Sequence, residues 1–295
     1  MAAADDAMPH AIDPPSRNWL ASANNRLADD SFPYPLGGTW ASGFRGQRIR
    51  QMFEESEGKA LTVEDMAAMQ MDHLSLPAVE DLPLLAAALG GMDLTAPAAG
   101  PTKAQLEAAR EAMLSWDAVV TVDSVGVTVY RSLMGTWCAA VAAARFSADA
   151  APLLAGSLEP LARRLLSPDY QQELGWFGSE AARAEALQSA FVEAVAAVVE
   201  SWGGEDWQWG KLHKLPLRHV LGALGDGSLA TLLDAPAQPI GGGMDTVGNT
   251  GQGAGFLGTT GAGYRHVADL GASPPGLWLV DGQSQSGQVH TAHYG

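Results

Sequence analysis

The sequence predicts an α+β protein in which a long helical block separates short strands near the two ends of the chain. Three observations carry this reading. Helical spacing of apolar residues runs from about residue 47 to 235. A short apolar and small-residue segment, Trp19-Leu-Ala-Ser-Ala23, is stopped by Asn24-Asn25. Two strand-like runs, Tyr264 to Leu270 and Leu277 to Val280, flank the turn Gly271-Ala-Ser-Pro-Pro-Gly276. Helices grouped in sequence and strands grouped apart from them read as α+β.

Taken in order, residues 1 to 16 are rich in Ala, Asp and Pro without periodicity, which predicts a loop, and order is expected from Arg17. The segment at Trp19 to Ala23 is expected to be a strand leading into a turn, and a Pro- and Gly-rich stretch follows from Phe32 to Gly46. Within the helical block, Thr62 with Asp65 and Thr102 with Gln105 are capping pairs, since a hydroxyl satisfies an orphan amide while the longer side chain reaches back. Leu106, Ala109, Met113 and Leu114 share one helix face; Leu187, Phe191, Ala194, Val195 and Val198 share another, in a helix that Gly203-Gly204 ends. Met66 and Met69 at helical spacing predict core filling. After Pro239 the composition turns to Gly, Thr, Asn and Gln before the terminal strands, and no internal repeat is present.

Composition bounds the function. A chain of 295 residues with 47% hydrophobic and 17% charged content has enough apolar material for a real core. A formal net charge of -16 would repel phosphate backbones and anionic lipid surfaces, so neither nucleic acid nor membrane is an expected partner. Cys138 lies among apolar residues and, being the single cysteine, forms no internal disulfide; it reads as a small buried hydrophobe. The first ten residues show no basic n-region or apolar h-region, so no signal peptide is expected there. The longest apolar run, Ser132 to Ala144, stops at Arg145, short of the ~18 residues a membrane span needs.

Local motifs carry little chemistry. Gly253-Ala-Gly-Phe-Leu-Gly258 matches a dinucleotide fingerprint by letter, but further glycines flank it where a strand and a helix start are required, so it reads as a turn-rich loop. No Gly-Lys-Ser/Thr follows a glycine cluster, which removes a P-loop. His213 with His219, and His290 with His293, lack the spacing and the third ligand of a zinc site and read as structural histidines. Asp29-Asp30 is either a hard-cation ligand pair or plain surface. There is no Gly-x-Ser-x-Gly elbow to anchor a triad.

Read as blocks in a fixed order, the chain resembles the penicillin acylase family of N-terminal-nucleophile hydrolases. The blocks are Asn18-Trp-Leu-Ala-Ser-Ala-Asn-Asn-Arg26, Asp29-Asp-Ser-Phe-Pro-Tyr-Pro-Leu-Gly-Gly38, Phe44-Arg-Gly-Gln-Arg-Ile49 and Leu61-Thr-Val-Glu-Asp-Met-Ala-Ala-Met-Gln-Met-Asp72. Trp207-Gln-Trp-Gly-Lys-Leu-His213, running on to His219, then Pro239-Ile-Gly-Gly-Gly-Met-Asp-Thr-Val247, Gly261-Ala-Gly-Tyr-Arg265, Gly282-Gln-Ser284 and His293-Tyr294 continue the order, from about residue 15 to the end. The resemblance implies the C-terminal part of a large subunit, residues 17 to 295, within a four-layer αββα sandwich that is incomplete here. It also implies a self-cleaving precursor, an extracytoplasmic or periplasmic site of action, and hydrolysis of non-peptide amides such as β-lactam side chains or acyl-homoserine lactones.

In that family the nucleophile is an N-terminal serine whose own amine is the base. The resemblance puts this serine upstream of the Asn24-Asn25 pair, so the nucleophile and its segment are expected to be a separate partner, and the chain alone to be inactive. By resemblance Asn24 is the side-chain amide of the oxyanion hole and Arg45 the arginine beside it, with Arg48 and Arg50 close in sequence. The residues themselves leave open that Asn24-Asn25 is only a turn pair. No cofactor is required by the chemistry; calcium occurs in some relatives, and its ligands cannot be carried over to positions here. The alternative function is a non-catalytic, helix-rich binding or scaffold protein derived from the family. Strands at 17 to 25 and 264 to 280 without their sheet neighbours would expose edges that invite association.

Overall fold

The computed structural model describes residues 18–94, 100–204, 206–222, 224, 227–282, 286, 288–289, 291 and 294. Eleven α-helices are described: α1 (Phe44–Glu55), α2 (Val63–Gln70), α3 (Leu76–Leu89), α4 (Lys103–Leu114), α5 (Gly126–Ala143), α6 (Ala151–Leu154), α7 (Glu159–Arg164), α8 (Pro168–Leu174), α9 (Glu180–Trp202), α10 (Trp209–Leu212) and α11 (Ser228–Leu233). The described strands are β1 (Lys214–Leu217), β2 (Ala235–Pro239), β3 (Thr250–Gln252), β4 (Gly258–Gly261), β5 (Tyr264–Asp269) and β6 (Gly276–Asp281). They pair antiparallel as β1-β2, β3-β4 and β5-β6.

Both capping boxes form: the Thr62 hydroxyl accepts from Asp65 N while Asp65 accepts from Thr62 N, and Thr102 and Gln105 do the same. Ser75, Ser167 and Ser179 start α3, α8 and α9 with a hydroxyl that accepts a backbone N–H. At its other end α9 stops at Gly203, whose φ of 80° suits glycine. The core lies between α5 and α9. Leu133, Trp137 and Val141, four residues apart on α5, meet Leu187, Phe191, Ala194, Val195 and Val198 of α9, and Leu106, Ala109 and Met113 of α4 close the cluster. Full burial of each large side chain contributes about 1.5–3 kcal/mol. Small residues let the two helices touch: Thr136 Oγ1 donates to Ala190 O at 2.8 Å and Ser132 Oγ to Ala194 O at 3.2 Å.

Gly126 starts α5 where a Cβ would stand 2.4 Å from Trp116 Cβ and 2.6 Å from Ala112 O. Both obstacles are close to backbone and have no room to retreat. Gly126→Ala is therefore expected to cost about 1–3 kcal/mol, read as a fall in the urea midpoint with an unchanged slope. An unchanged midpoint would show that the α4–α5 joint is looser than this geometry.

A buried polar network ties α3 to α5 and α7. Asp81, 2% exposed, accepts from Tyr130 Oη at 2.7 Å and from Arg163 Nε at 2.9 Å and Nη2 at 3.0 Å. Burial pushes the Asp81 carboxyl above the usual carboxylate range, against the pull of Arg163 and Tyr130. Among the described residues no helix is long and apolar enough to cross a membrane.

Helices and strands together keep the α+β class, with three corrections. Trp19 to Ala23 is not a strand. Asn24 turns the chain with φ of 59°, and the segment is held by stacking of Trp19 on Phe53 at 5.0 Å instead of by a ladder. Second, the helical block is interrupted by β1 and followed at once by β2; Pro216, which has no N–H to give, falls at the register shift between Leu215 and Leu217. Third, Met66 and Met69 are half-buried on α2, which fully buries none of its residues. The C-terminal strands form as expected, in register from Tyr264 opposite Asp281 to Asp269 opposite Gly276. The expected loop at residues 1 to 16 lies outside the described residues.

Candidate functional site

Asn24 stands in the left-handed region, where asparagine is favoured over most residues. Its neighbour fixes the turn: Asn25 Oδ1 accepts from Ala23 N at 3.0 Å and Nδ2 donates to Arg26 O at 3.0 Å. The turn is pressed against the start of α1. Ala41 N donates to Asn24 O at 2.9 Å, and at Gly46 a Cβ would come within 2.8 Å of Asn25 Oδ1. Glycine at 46 is what lets helix and turn approach this closely.

That approach brings the two sequence-predicted residues together: Arg45 Nη2 donates to Asn24 Oδ1 at 3.1 Å. A guanidinium only donates, so it selects one orientation of the amide, Oδ1 inward and the NH2 outward. Asn24 is exposed, and its Nδ2 donates to no described residue. Arg45 Nε is buried without a hydrogen-bond partner among the described residues. An unmet buried donor costs about 1–3 kcal/mol, so this position is suited to an acceptor brought by another segment or a ligand. Arg48 faces elsewhere, donating to both Asp72 oxygens at 3.1 and 2.9 Å. Periodicity offered no signal for Gly46; it stands inside the Phe44 to Ile49 block.

The other motifs resolve as structure. His213 is buried; its Nδ1 lies 2.7 Å from Phe256 O and its Nε2 2.9 Å from Thr250 Oγ1, while Trp209 stacks on the ring at 4.5 Å. A carbonyl only accepts, so Nδ1 carries the proton and Nε2 accepts from the threonine. The Gly253 to Gly258 run is the loop of the β3-β4 hairpin. His219 Nδ1 accepts from Leu221 N at 3.1 Å. Asp29 accepts from Ser31, and Asp30 pairs with Arg26. Among the described residues no group of three His, Cys, Asp or Glu side chains is placed to hold a metal. His290 and His293 lie outside the described residues. Cys138 is buried in α5, which pushes its thiol up to about 12 and leaves it protonated.

Burial also lowers the pKa of His213 and of His73 below the ordinary 6.5. The folded chain then binds protons less readily than the unfolded one. Stability is full above pH 6.5 and declines as pH falls through that value toward the lower folded pKa. Thermal melts across this range are expected to show the decline, and His213→Gln, which cannot titrate, to flatten it. Equal slopes for the two proteins would remove His213 from the account.

The profile of the penicillin amidase family matches residues 2–295. The chain is 28% identical over 302 residues to penicillin acylase 2 proenzyme of Pseudomonas sp. (strain SE83), covering 98% of this chain and 36% of that protein. It is 23% identical over 307 residues to acyl-homoserine lactone acylase QuiP of Pseudomonas fluorescens (strain Pf0-1), with the same coverage of 98% and 36%. Against the QuiP of Pseudomonas syringae pv. syringae (strain B728a) the identity is 24% over 322 residues. The chain thus spans about a third, 36%, of the length of these curated relatives. With the match running through the Asn24 turn, α1 and both C-terminal hairpins, the chain belongs to the penicillin amidase family.

Proposed function

We propose that this chain supplies the oxyanion-binding part of an amidohydrolase that cleaves non-peptide linear amides of N-acyl compounds, of which β-lactam side chains and acyl-homoserine lactones are the leading classes. The carrying observation is the Arg45 to Asn24 hydrogen bond, which holds the amide with its NH2 outward. In acyl transfer a serine oxygen adds to the amide carbon, its proton passes to the serine's own free amine, and negative charge collects on the carbonyl oxygen. A donor fixed in advance at that oxygen stabilises the charge more than it does the neutral substrate. Collapse then expels the substrate amine with the transferred proton, and water releases the acid from the acyl-serine. Arg45, always cationic, would also keep a neighbouring amine unprotonated by like-charge repulsion.

The serine comes from the segment of the precursor that relatives carry beyond this third of their length, and the working enzyme is periplasmic. In the same reading the β5-β6 hairpin joins a sheet of the αββα sandwich. Leu277 and Leu279 point to one face and Trp278 and Val280 to the other, and all four are exposed in this chain. A ribbon apolar on both faces suits a strand buried on both. By itself the chain is expected to self-associate through these edges, visible as a concentration-dependent shift in size-exclusion chromatography; a monomer at all concentrations would show the hairpin to be self-sufficient.

The test is co-production with a serine-bearing upstream half from a relative, followed by assays on N-acyl β-lactams and acyl-homoserine lactones. Hydrolysis is expected only when both halves are present. No hydrolysis from a folded, associated pair would overturn the reading.

A further inference from the structure

The segment that joins the Asn24 turn to α1, residues 40–43, has no regular structure, yet both residues of the proposed oxyanion pair hang on it. Ala41 N donates to Asn24 O at 2.9 Å, and α1, which carries Arg45 in its first turn, begins directly after Gly43. Gly43 offers α1 no side-chain cap, so the start of the helix is not pinned by its own sequence. It is pinned from a distant part of the chain: Ser42 Oγ donates to Asp245 Oδ1 at 2.6 Å. A hydroxyl bonded to a carboxylate at this length is on the strong side of neutral bonds.

Asp245 is itself held in place. Its other oxygen, Oδ2, pairs with Arg131 Nη2 of α5 at 3.6 Å, and the two side chains are 13% and 15% exposed. The loop that presents it, residues 240–249, is bonded to itself and to the interior. Buried Thr246 accepts from Gly243 N at 2.9 Å and donates to Gly248 O at 3.0 Å, and Asn249 Nδ2 donates to Met244 O at 2.7 Å. Gly242 N donates to Val120 O at 2.8 Å and Gly242 O accepts from Trp209 Nε1 at 3.2 Å, both partners being buried. A carboxylate at this place is a poor source of stability: it is mostly withdrawn from water, and burial together with the Asp245 charge pushes the neighbouring Glu159 carboxyl up. Its use lies in what it holds.

We propose that Asp245 is a positioning residue, which through Ser42 clamps the 40–43 segment so that the Asn24 amide and the Arg45 guanidinium keep their relative place. This rests on the oxyanion role of Asn24. The loop and α5 supply the rigid side of the clamp, and the 40–43 segment is the side that would otherwise drift.

Two measurements test it. In this chain Ser42→Ala is expected to speed hydrogen exchange of the Ala41 amide by about tenfold, the loss of one restraining hydrogen bond, while amides of the α5 core keep their protection. In the co-produced pair Ser42→Ala and Asp245→Asn should each lower kcat about tenfold with KM nearly unchanged, short of the ~10²-fold that 1 Å of misplacement costs. The double variant should fall no further than the single ones, because both break one link. Ser42→Thr, which keeps the hydroxyl, should recover most of the loss. Unchanged Ala41 exchange, additive losses in the double variant, or an active pair indifferent to Ser42→Ala would each overturn the proposal while leaving the hydrolase reading standing. An unmodified pair that hydrolyses nothing would instead take the positioning role down together with that reading.

Discussion

With Asn24 in the proposed oxyanion role, Asn24→Ala is expected to lower kcat of the proposed assembled hydrolase by ~10²- to 10³-fold while leaving KM nearly unchanged, because the lost donor would act on a charge present only in the transition state. The same position has a backbone role, since Asn24 turns the chain at φ of 59°. Asn24→Gly separates the two. Glycine holds the left-handed turn without strain but brings no amide, so it should lose as much rate as alanine. Activity retained in Asn24→Gly would reduce Asn24 to a turn residue and leave the oxyanion role without support. Asn24→Asp should fail as well, since a carboxylate still accepts from Arg45 yet offers the substrate no donor. Arg45→Ala frees the amide to rotate and is expected to fall partway. A KM rise with kcat intact, in any of these variants, would mean that the lost contact holds substrate and transition state equally and does not serve the developing charge.

The largest stability effect is expected at Arg163. Arg163→Ala strands the Asp81 carboxylate, whose side chain is 3% exposed, and removes the cation over Phe44. Breaking a buried pair from one side costs about 3–5 kcal/mol, measured by urea denaturation. The intact pair stabilises far less than this figure, because burial already opposes the Asp81 charge. Replacing Asp81 and Arg163 together by leucine is therefore expected to cost much less than the two single changes summed. Additive losses would show instead that the ion pair is a net source of stability, and a small loss in Arg163→Ala would show that water reaches Asp81.

How much of this was legible in the sequence depends on how local each cause is. Capping at Thr62 and Thr102 needs partners three residues away, and the buried faces of α4 and α9 need only a regular helix; both were readable. The β5-β6 hairpin was readable because its two strands are joined by their own turn. Trp19 to Ala23 misled because strand identity belongs to a pair of chains, and these residues find an aromatic stack on α1 in place of a strand. β1 escaped notice because its partner β2 lies beyond α11, and Lys214-Leu-Pro-Leu217 reads as helix interruption until that partner is known.

By itself the sequence determined the helix starts, the buried helical faces, the terminal hairpin and, through ordered blocks, the family. The family blocks named Arg45 for the place beside Asn24, and tertiary structure alone brought the two side chains into contact. Arg45, Arg48 and Arg50 follow one another so closely that spacing cannot rank them, and helical geometry sends each in a different direction. Close approach at Gly46 sets the turn against α1, so that Arg45 reaches the amide while Arg48 turns to Asp72. Tertiary structure likewise brought Ser42 to Asp245, 203 residues further along the chain. Contacts of that range are made by chain segments that share no local hydrogen bond or period, and so leave no trace in the order of residues.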